Sequence, residues 1–273
     1  DIGMFPDPNY LGRNKAVQNL DVSHPYRLRA VISDHLKSLE NDGNCYAVLD
    51  DILKMLKDYP LFYRPEDELL IDKNKLASVK YINHFKERLE VIDKKFFYLT
   101  EIKKAEDFIK TTIQKLLERD DHKTAVDDLD KFLKGEADTL SKTIKGFEKN
   151  QFIDERTKLI EGCIKKSFFV ITGKPGSGKT KALKKVVDEI KKAGEKFVVL
   201  APTGKASLRL QNAIEDPNAQ TIDKFIFSKG YAKYLKDFES FSPTEPSKDV
   251  FEVKNLIIDE SSMLDLKKVA VLF

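Results

Sequence analysis

Residues 173–180 constrain the fold of this chain more than any other segment, and they read Gly-Lys-Pro-Gly-Ser-Gly-Lys-Thr. Glycine, four residues and then Gly-Lys-Ser/Thr is the pattern of a loop whose backbone N–H groups cradle phosphates. The apolar run 167–172 in front of it predicts a buried strand, and apolar residues at helical spacing behind it predict a helix that Gly194 ends. This order of strand, loop and helix points the amino end of a helix at a bound phosphate.

All eight residues of the loop are candidates for nucleotide binding: Gly173, Lys174, Pro175, Gly176, Ser177, Gly178, Lys179 and Thr180. The three glycines let backbone amides approach phosphate oxygens closely. We expect Lys179 to reach the β- and γ-phosphates, and the hydroxyl of Thr180 to hold Mg²⁺. The alternative is a chance match to the pattern, and the predicted strand and helix on either side count against it.

Composition limits the remaining possibilities. A length of 273 residues suits two domains, and a net charge of only +3 restricts any nucleic-acid contact to a local stripe. The two cysteines and four scattered histidines match no metal-binding spacing, and the cysteines predict no disulfide framework. We therefore expect a reducing compartment, the cytoplasm. No apolar run reaches membrane-spanning length and no signal peptide is visible, so we expect no membrane partner.

The first 150 residues are predicted to be mainly helical. Apolar spacing predicts a hairpin over residues 90–99 and three helices before it, near residues 28–39, 48–56 and 76–89. Together they predict a winged-helix-like domain over residues 1–99, a module that binds nucleic acid in some proteins and serves as a protein contact or spacer in others. Thr100 is expected to cap the next helix, and the charge-rich residues 100–150 predict a solvated helical connector.

Residues 151–273 alternate predicted strands with helices, which indicates an α/β domain with a parallel sheet and a ligand at the carboxyl ends of its strands. Residues 196–200 form one apolar run. Residues 255–260 form another, which closes with Asp259 and Glu260. In a nucleoside triphosphatase, Asp259 would hold Mg²⁺ and Glu260 would orient and deprotonate the attacking water. The alternative is a strand that ends in a solvated acidic turn.

Residues 201–207, Ala-Pro-Thr-Gly-Lys-Ala-Ser, follow the first of these strands. Thr203, Gly204 and Lys205 would open a helix at the same edge as the nucleotide, where amides, a hydroxyl and an ammonium suit a phosphodiester backbone. The alternative is an ordinary strand-to-helix turn in which Pro202 and Gly204 only break the strand.

Four segments in this order and spacing, GKPGSGKT, APTGKAS, TIDKF and LIIDESSML, resemble the first motor domain of RecD-like helicases. The resemblance covers residues 151–273 and implies a RecA-like P-loop domain. It also implies ATP hydrolysis with Mg²⁺, catalysis by Lys179 and Glu260, and movement five-prime to three-prime on single-stranded DNA. Recombination or repair proteins are further implied partners. The implied nucleic-acid contacts are Pro202, Thr203, Gly204, Lys205 and Thr221. More weakly, residues 27–32 and 41–46 resemble the leader region of the longer RecD-like proteins.

The chain departs from that family at three positions. Asp223 stands where histidine is common, Lys174 replaces a small residue of the loop, and Arg156 aligns with a glutamine that reads adenine. The family's motor also has a further central strand and a second RecA-like domain with an arginine finger. On that ground we expect a truncated motor domain, with 273 residues that alone do not unwind duplex DNA and hydrolyse ATP at most feebly.

Two other functions fit the loop. A P-loop kinase acting on a small molecule would need a lid with clustered arginines, whereas residues 151–273 contain only Arg156 and Arg209. A non-enzymatic nucleotide-binding interaction module would not need Lys179, Thr180 and the acidic pair to be intact.

Overall fold

A computed structural model of the chain describes residues 23–59, 71–120, 126, 128–174, 176–236 and 253–273. The chain divides into two compact units, one ending at Asp107 and the other beginning at Phe108. The elements of the first unit are α1 (Pro25–Asn41), β1 (Tyr46–Val48), α2 (Leu49–Lys57), α3 (Lys73–Leu76), α4 (Val79–Phe85), β2 (Leu89–Ile92) and β3 (Phe96–Leu99). Helix α5 (Thr100–Leu117) includes the boundary between the units.

Helix α1 follows directly from its sequence. Pro25 occupies its first turn, where the missing N–H costs nothing, and the side chain of His24 accepts a hydrogen bond from the Tyr26 N–H. Residues at helical spacing turn to the interior: Leu28, Val31, Ile32 and Leu36 are buried. The helix ends before Gly43, whose φ of +85° is a conformation that glycine adopts without steric cost.

The hairpin predicted over residues 90–99 is confirmed. Strands β2 and β3 pair antiparallel through the register Leu89 with Leu99, and Asp93 and Lys94 form the turn with φ of 52° and 54°. Two consecutive turn residues with positive φ give the turn a twist that matches the twist of the flanking strands. Strand β1, which the sequence did not reveal, pairs with the other edge of β3. The winged-helix-like assignment itself stays a prediction.

The prediction of one continuous helix over residues 76–89 in this unit is wrong. The segment is divided between α3 and α4 with a break between them, and Leu89 already belongs to β2. Asp72 caps α3 by accepting hydrogen bonds from the N–H groups of Asn74 and Lys75. Leu76 and Phe85 are fully buried, but Val79 is 65% exposed. The apolar spacing was therefore produced by three short elements, each of which buries a residue: Leu76, Phe85 and Leu89.

The second unit contains the α/β part. Its elements after α5 are α6 (Leu129–Thr143), α7 (Lys149–Lys165), α8 (Lys179–Lys192), β4 (Phe197–Ala201), α9 (Gly204–Ile214), β5 (Gln220–Thr221), α10 (Ile222–Ser228), α11 (Ala232–Lys236), β6 (Asn255–Ile258), a 3₁₀ turn (Ser261–Met263) and α12 (Leu266–Leu272). Strands β5, β4 and β6 form a parallel sheet in that order. Leu183 and Val187 of α8 share a core with Val199 and Ala201 of β4.

Helix α6 lies in the region predicted as a solvated connector, and the structure shows it packed instead. Its residues Leu129, Leu133 and Ala137 are buried, and Leu129 and Leu133 belong to a core cluster with Ile160 of α7 and Val186 of α8. The spacing of four residues places these three on one face of the helix. The many charges on the other faces concealed this stripe in the sequence. Glu136 adds an ion pair with Lys181, near the start of α8.

Two further expectations about local structure are wrong. Thr100 does not cap α5, because the chain passes directly from β3 into the helix. The buried Oγ1 of Thr100 has no hydrogen-bond partner in the described part of the chain. Residues 167–172 do not form a buried strand, and Phe169 and Val170 are 43% and 60% exposed. The parallel sheet formed by the described residues comprises β5, β4 and β6, so this segment has no ladder partner there.

Residues 167–172 are held by aromatic contacts in place of a strand ladder. The ring of Phe169 lies so close to Gly162 of α7 that a side chain at Gly162 would overlap it. The ring of Phe168 meets that of Phe273 edge to face, with 6.4 Å between centroids. The segment that leads into the loop therefore packs on helices.

Candidate nucleotide-binding site

The loop at residues 173–178 ends on the first turn of α8. Gly178 precedes the helix with φ +78°, and Gly176 has φ +75°, both in the left-handed region that favours glycine. At Gly173 the space is tight, since a Cβ there would lie 3.0 Å from Oγ of Ser177, a side chain that can rotate. The backbone geometry therefore accounts for Gly176 and Gly178.

Lys179 folds back over the loop. Its Nζ donates hydrogen bonds to the carbonyl oxygens of Gly173, at 2.6 Å, and Lys174, at 3.0 Å, while the Ser177 N–H donates to the same Lys174 oxygen at 3.2 Å. The ammonium thus lies among polar groups that a bound phosphate would replace with stronger, charged acceptors. Thr180 follows as the second residue of α8 and is partly buried. Pro175 lies outside the described residues.

Arg156 also reaches this loop, a contact that sequence reasoning missed. From α7, its Nη2 donates a hydrogen bond to the Ser177 carbonyl oxygen, and its guanidinium lies over the ring of Phe152, 5.4 Å from the centroid. The alignment with the family marked Arg156 as unusual. Nothing in the sequence, however, indicates that a residue 21 positions earlier touches the loop backbone.

The other predicted site residues follow the carboxyl ends of the three parallel strands. The register pairs Ala201 with Thr221 and Leu200 with Ile258, and the Asp259 N–H donates to the Leu200 carbonyl oxygen at 2.9 Å. Parallel strands aligned in this way end at one edge of the sheet. Residues 202–205, Thr221 and the acidic pair are consequently at that edge.

The phosphate loop belongs to the same end of the sheet. The 14 residues of α8 span about 21 Å, and the five residues of β4 span about 16 Å. Only residues 193–196 connect them, so a reversal of the chain at this short link would bring the start of the helix near the end of the strand. Leu183, in the second turn of α8, shares its core cluster with Ala201, the last residue of β4.

The acidic pair forms a tight turn after β6. Asp259 is partly buried, and its Oδ1 accepts a hydrogen bond from the Glu260 N–H at 3.0 Å. Glu260 is exposed and has φ +51°, a conformation that costs a residue with a side chain about 1 kcal/mol or more. This conformation directs the backbone into the 3₁₀ turn. The two adjacent acids thus differ in burial, with Asp259 partly buried and Glu260 exposed.

The two threonines predicted to contact nucleic acid both cap helices. Oγ1 of Thr203 accepts a hydrogen bond from the Ala206 N–H at 3.2 Å, and Oγ1 of Thr221 accepts one from the Lys224 N–H at 3.1 Å. Each hydroxyl keeps its own proton to donate. Gly204 and Lys205 are exposed and Pro202 is partly buried. Asp223, at the family's histidine position, forms an ion pair of 2.8 Å with Lys268, which reduces the negative charge at this edge.

The donors present fit Mg²⁺ bound together with a nucleotide. Mg²⁺ takes one or two protein carboxylates and completes its shell with phosphate oxygens and water. The hydroxyl of Thr180 and the carboxylate of Asp259 match that set. No cluster of three or more His, Cys, Asp or Glu side chains suited to a metal occurs in the described ranges. None of the helices described there is long and apolar enough to cross a membrane.

Comparison with known proteins adds to this geometry. Residues 156–273 match the family model of the AAA domain. An uncharacterized protein of Methanocaldococcus jannaschii is 28% identical over 262 residues, covering 89% of this chain and 22% of that protein. The RecBCD enzyme subunits RecD of Mycobacterium tuberculosis and Haemophilus influenzae are 28% and 26% identical over 139 and 148 residues. Those matches cover 43% and 46% of this chain and 23% and 22% of the RecD proteins.

The chain thus spans less than a quarter of the length of the curated relatives it matches. The loop geometry, the AAA domain match and the RecD similarity together support a P-loop NTPase related to RecD-like helicases.

Proposed function

We propose that this chain carries the ATP-binding part of a DNA helicase that uses ATP hydrolysis to move five-prime to three-prime along single-stranded DNA. One observation carries the proposal. Lys179 donates to two carbonyls of a loop in which Gly176 and Gly178 have positive φ, at the amino end of α8. This is a preformed cradle for a polyphosphate. The RecD similarity and the motif resemblance support the choice of DNA and the direction.

Each residue of the site has a distinct role in this proposal. The backbone N–H groups of residues 173–178 other than Pro175, which has none, and the ammonium of Lys179 bind the phosphates. Thr180 and Asp259 hold Mg²⁺, which neutralises charge on the phosphates when it is bound. Glu260 orients the attacking water and accepts its proton. Because Glu260 is exposed and follows Asp259 directly, it can face a water beside a magnesium-bound phosphate.

Nucleic acid is proposed to bind along the same sheet edge. Residues 202–205 follow β4, and Thr221 is the last residue of β5. Thr203 and Thr221 precede helices whose amino ends favour anions. Exposed Lys205 supplies a positive charge for a backbone phosphate. Neither the helix amino ends nor the charge of Lys205 recognises a base, so we expect binding that is independent of the DNA sequence. Recombination or repair proteins are the proposed partners of the complete protein.

An ATPase assay with and without single-stranded DNA tests the proposal. We expect the complete protein to show magnesium-dependent hydrolysis that DNA stimulates, and residues 1–273 alone to hydrolyse ATP at most feebly. We also expect Glu260→Gln to keep nucleotide affinity while losing most of the hydrolysis, because the base acts on the chemical step. Glu161→Gln, which alters a carboxylate of α7 paired with Lys165, is the matched control and should behave like the wild type.

Three results would contradict parts of the proposal. Phosphate transfer to a small acceptor in place of water would indicate a kinase. Tight nucleotide binding with no hydrolysis under any condition would indicate an interaction module. Hydrolysis by Glu260→Gln at the wild-type rate would remove Glu260 from its role.

A further inference from the structure

Arg156 is held between its own helix and the loop. On one side its guanidinium lies 5.4 Å from the centroid of the Phe152 ring, one turn earlier in α7. On the other side its Nη2 donates to the carbonyl oxygen of Ser177. A Cβ on Gly178 would come within 2.9 Å of the same nitrogen. The guanidinium therefore lies against the Ser177–Gly178 peptide.

The stereochemistry of that peptide determines what the contact does. In a planar trans peptide the carbonyl oxygen and the following N–H point in opposite directions, and the described residues contain no cis peptide bond. By binding the Ser177 oxygen, Arg156 therefore turns the Gly178 N–H to the side away from α7. Backbone N–H groups are the part of such a loop that binds phosphate. The orientation of this peptide decides whether the N–H is available.

The hydrogen bonds described within the loop go to the carbonyl oxygens of Gly173 and Lys174, whereas the Ser177 oxygen is bound by Arg156. Gly176 and Gly178 flank Ser177 at φ +75° and +78°, and glycine has more accessible backbone conformations than any other residue. A peptide between two glycines can turn over readily unless one of its groups is held. Arg156 holds it from a helix, an element more rigid than a loop.

We propose that Arg156 is a positioning residue of the phosphate loop, which fixes the Ser177–Gly178 peptide in the orientation that presents the Gly178 N–H to a nucleotide phosphate. This inference rests on the proposed function, since it concerns phosphates bound by this loop. It differs from a direct salt bridge between Arg156 and a phosphate. The guanidinium binds the carbonyl side of the peptide, opposite to the side of its N–H.

The test compares the full chain with Arg156→Met, Arg156→Lys and the matched control Lys158→Met. Lys158 lies on the same helix, is exposed and pairs with Asp154, so its replacement removes a charge without touching the loop. The probes are Mg–ATP and magnesium tripolyphosphate, which has no base and so excludes effects on base recognition. Affinity is measured at about 0.1 M and about 1 M salt, where charges are screened beyond about 10 Å and 3 Å.

We expect Arg156→Met to weaken binding of both probes about tenfold, the effect of losing one charge-assisted hydrogen bond. The ratio of wild-type to variant affinity should be the same at both salt concentrations, because the lost contact is within the protein. Arg156→Lys should restore part of the affinity by donating to the Ser177 oxygen. Lys158→Met should match the wild type, and all variants should unfold at the same urea concentration.

A ratio that falls towards one at high salt would show a direct charge contact with phosphate and overturn the inference. Unchanged affinity in Arg156→Met would also overturn it, as would a loss confined to ATP. Lys179→Ala distinguishes a failure of the positioning role of Arg156 from a failure of the nucleotide site. If it abolishes binding while Arg156→Met does nothing, the positioning role fails and the nucleotide site stands. If the wild type binds neither probe, both fail.

Discussion

Replacing Gly178 with alanine is the most informative single change in the phosphate loop. Alanine in the left-handed conformation observed there, φ +78°, costs about 1–2 kcal/mol. The added Cβ would also stand 2.9 Å from Nη2 of Arg156 and displace the guanidinium from the Ser177 oxygen. Loss of that charge-assisted hydrogen bond adds about 1.5 kcal/mol. The sum, about 2.5–3.5 kcal/mol, corresponds to a loss in nucleotide affinity of about 100-fold.

Two other glycines separate these contributions. Gly176 has φ +75° with open space where a Cβ would be, so Gly176→Ala carries the backbone cost alone and should lose about 5- to 30-fold in affinity. Gly194 has φ +66° and equally open space but lies beyond the loop. Gly194→Ala should lower the free energy of unfolding by about 1 kcal/mol and leave affinity unchanged.

Isothermal titration with Mg–ATP, together with urea unfolding, measures both quantities for the three variants. The exposed loop can relax into another conformation that no longer binds phosphate. Strain at Gly176 and Gly178 should therefore be seen in affinity more than in unfolding. Equal affinity losses for Gly176→Ala and Gly178→Ala would refute the reasoning, because the contact with Arg156 would then contribute nothing.

Three further changes test other parts of the structure. Leu133→Ala should lower the free energy of unfolding by about 2–5 kcal/mol in urea denaturation, because Leu133 is fully buried, whereas exposed Leu117→Ala should change it by less than about 0.5. Burial alone would raise the pKa of Asp216, but hydrogen bonds from Lys191 and from the Asn218 amide outweigh it and bring the pKa below its usual range. A lowered folded-state pKa stabilises the fold above the unfolded-state pKa, so Asp216→Asn should cost about 2 kcal/mol at neutral pH. The difference should shrink as pH falls below about 4, and a constant difference would contradict the pairing. Lys205→Ala should weaken single-stranded DNA binding about equally for all sequences and reduce the slope of log affinity against log salt by about 0.7, whereas a sequence-dependent loss would argue against backbone contact.

Strong local signals made much of this fold predictable. The loop pattern and Gly194 predicted a helix after the loop, and the structure confirms it as α8. The apolar runs at residues 196–200 and 255–258 became β4 and β6, since a buried parallel strand is apolar on both faces. The hairpin over residues 90–99 was equally clear, because Asp93 and Lys94 separate two strongly apolar segments.

The features that sequence reasoning missed depend on contacts between distant residues. Residues 167–172 have a strand's composition, yet a strand forms only where a neighbour pairs with it. Leu129 and Leu133 are buried because α7 and α8 lie beside them, a fact that the surrounding charges conceal. Leu76 and Phe85 are both buried although α3 ends at Leu76 and a new helix begins at Val79. The contact of Arg156 with Ser177 joins two elements whose packing no local pattern specifies.

The most direct test of the central claim is the titration of a fluorescent ATP analogue, with Mg²⁺, into the wild type and Lys179→Ala. Lys179 is the cation placed over the loop carbonyls, so its loss should weaken binding by at least about tenfold. Lys184→Ala is the matched control, a lysine on the same helix that pairs with Glu215 away from the loop. Lys184→Ala should bind the analogue as tightly as the wild type. Equal affinity of the wild type and Lys179→Ala would contradict the assignment of the nucleotide site to residues 173–180.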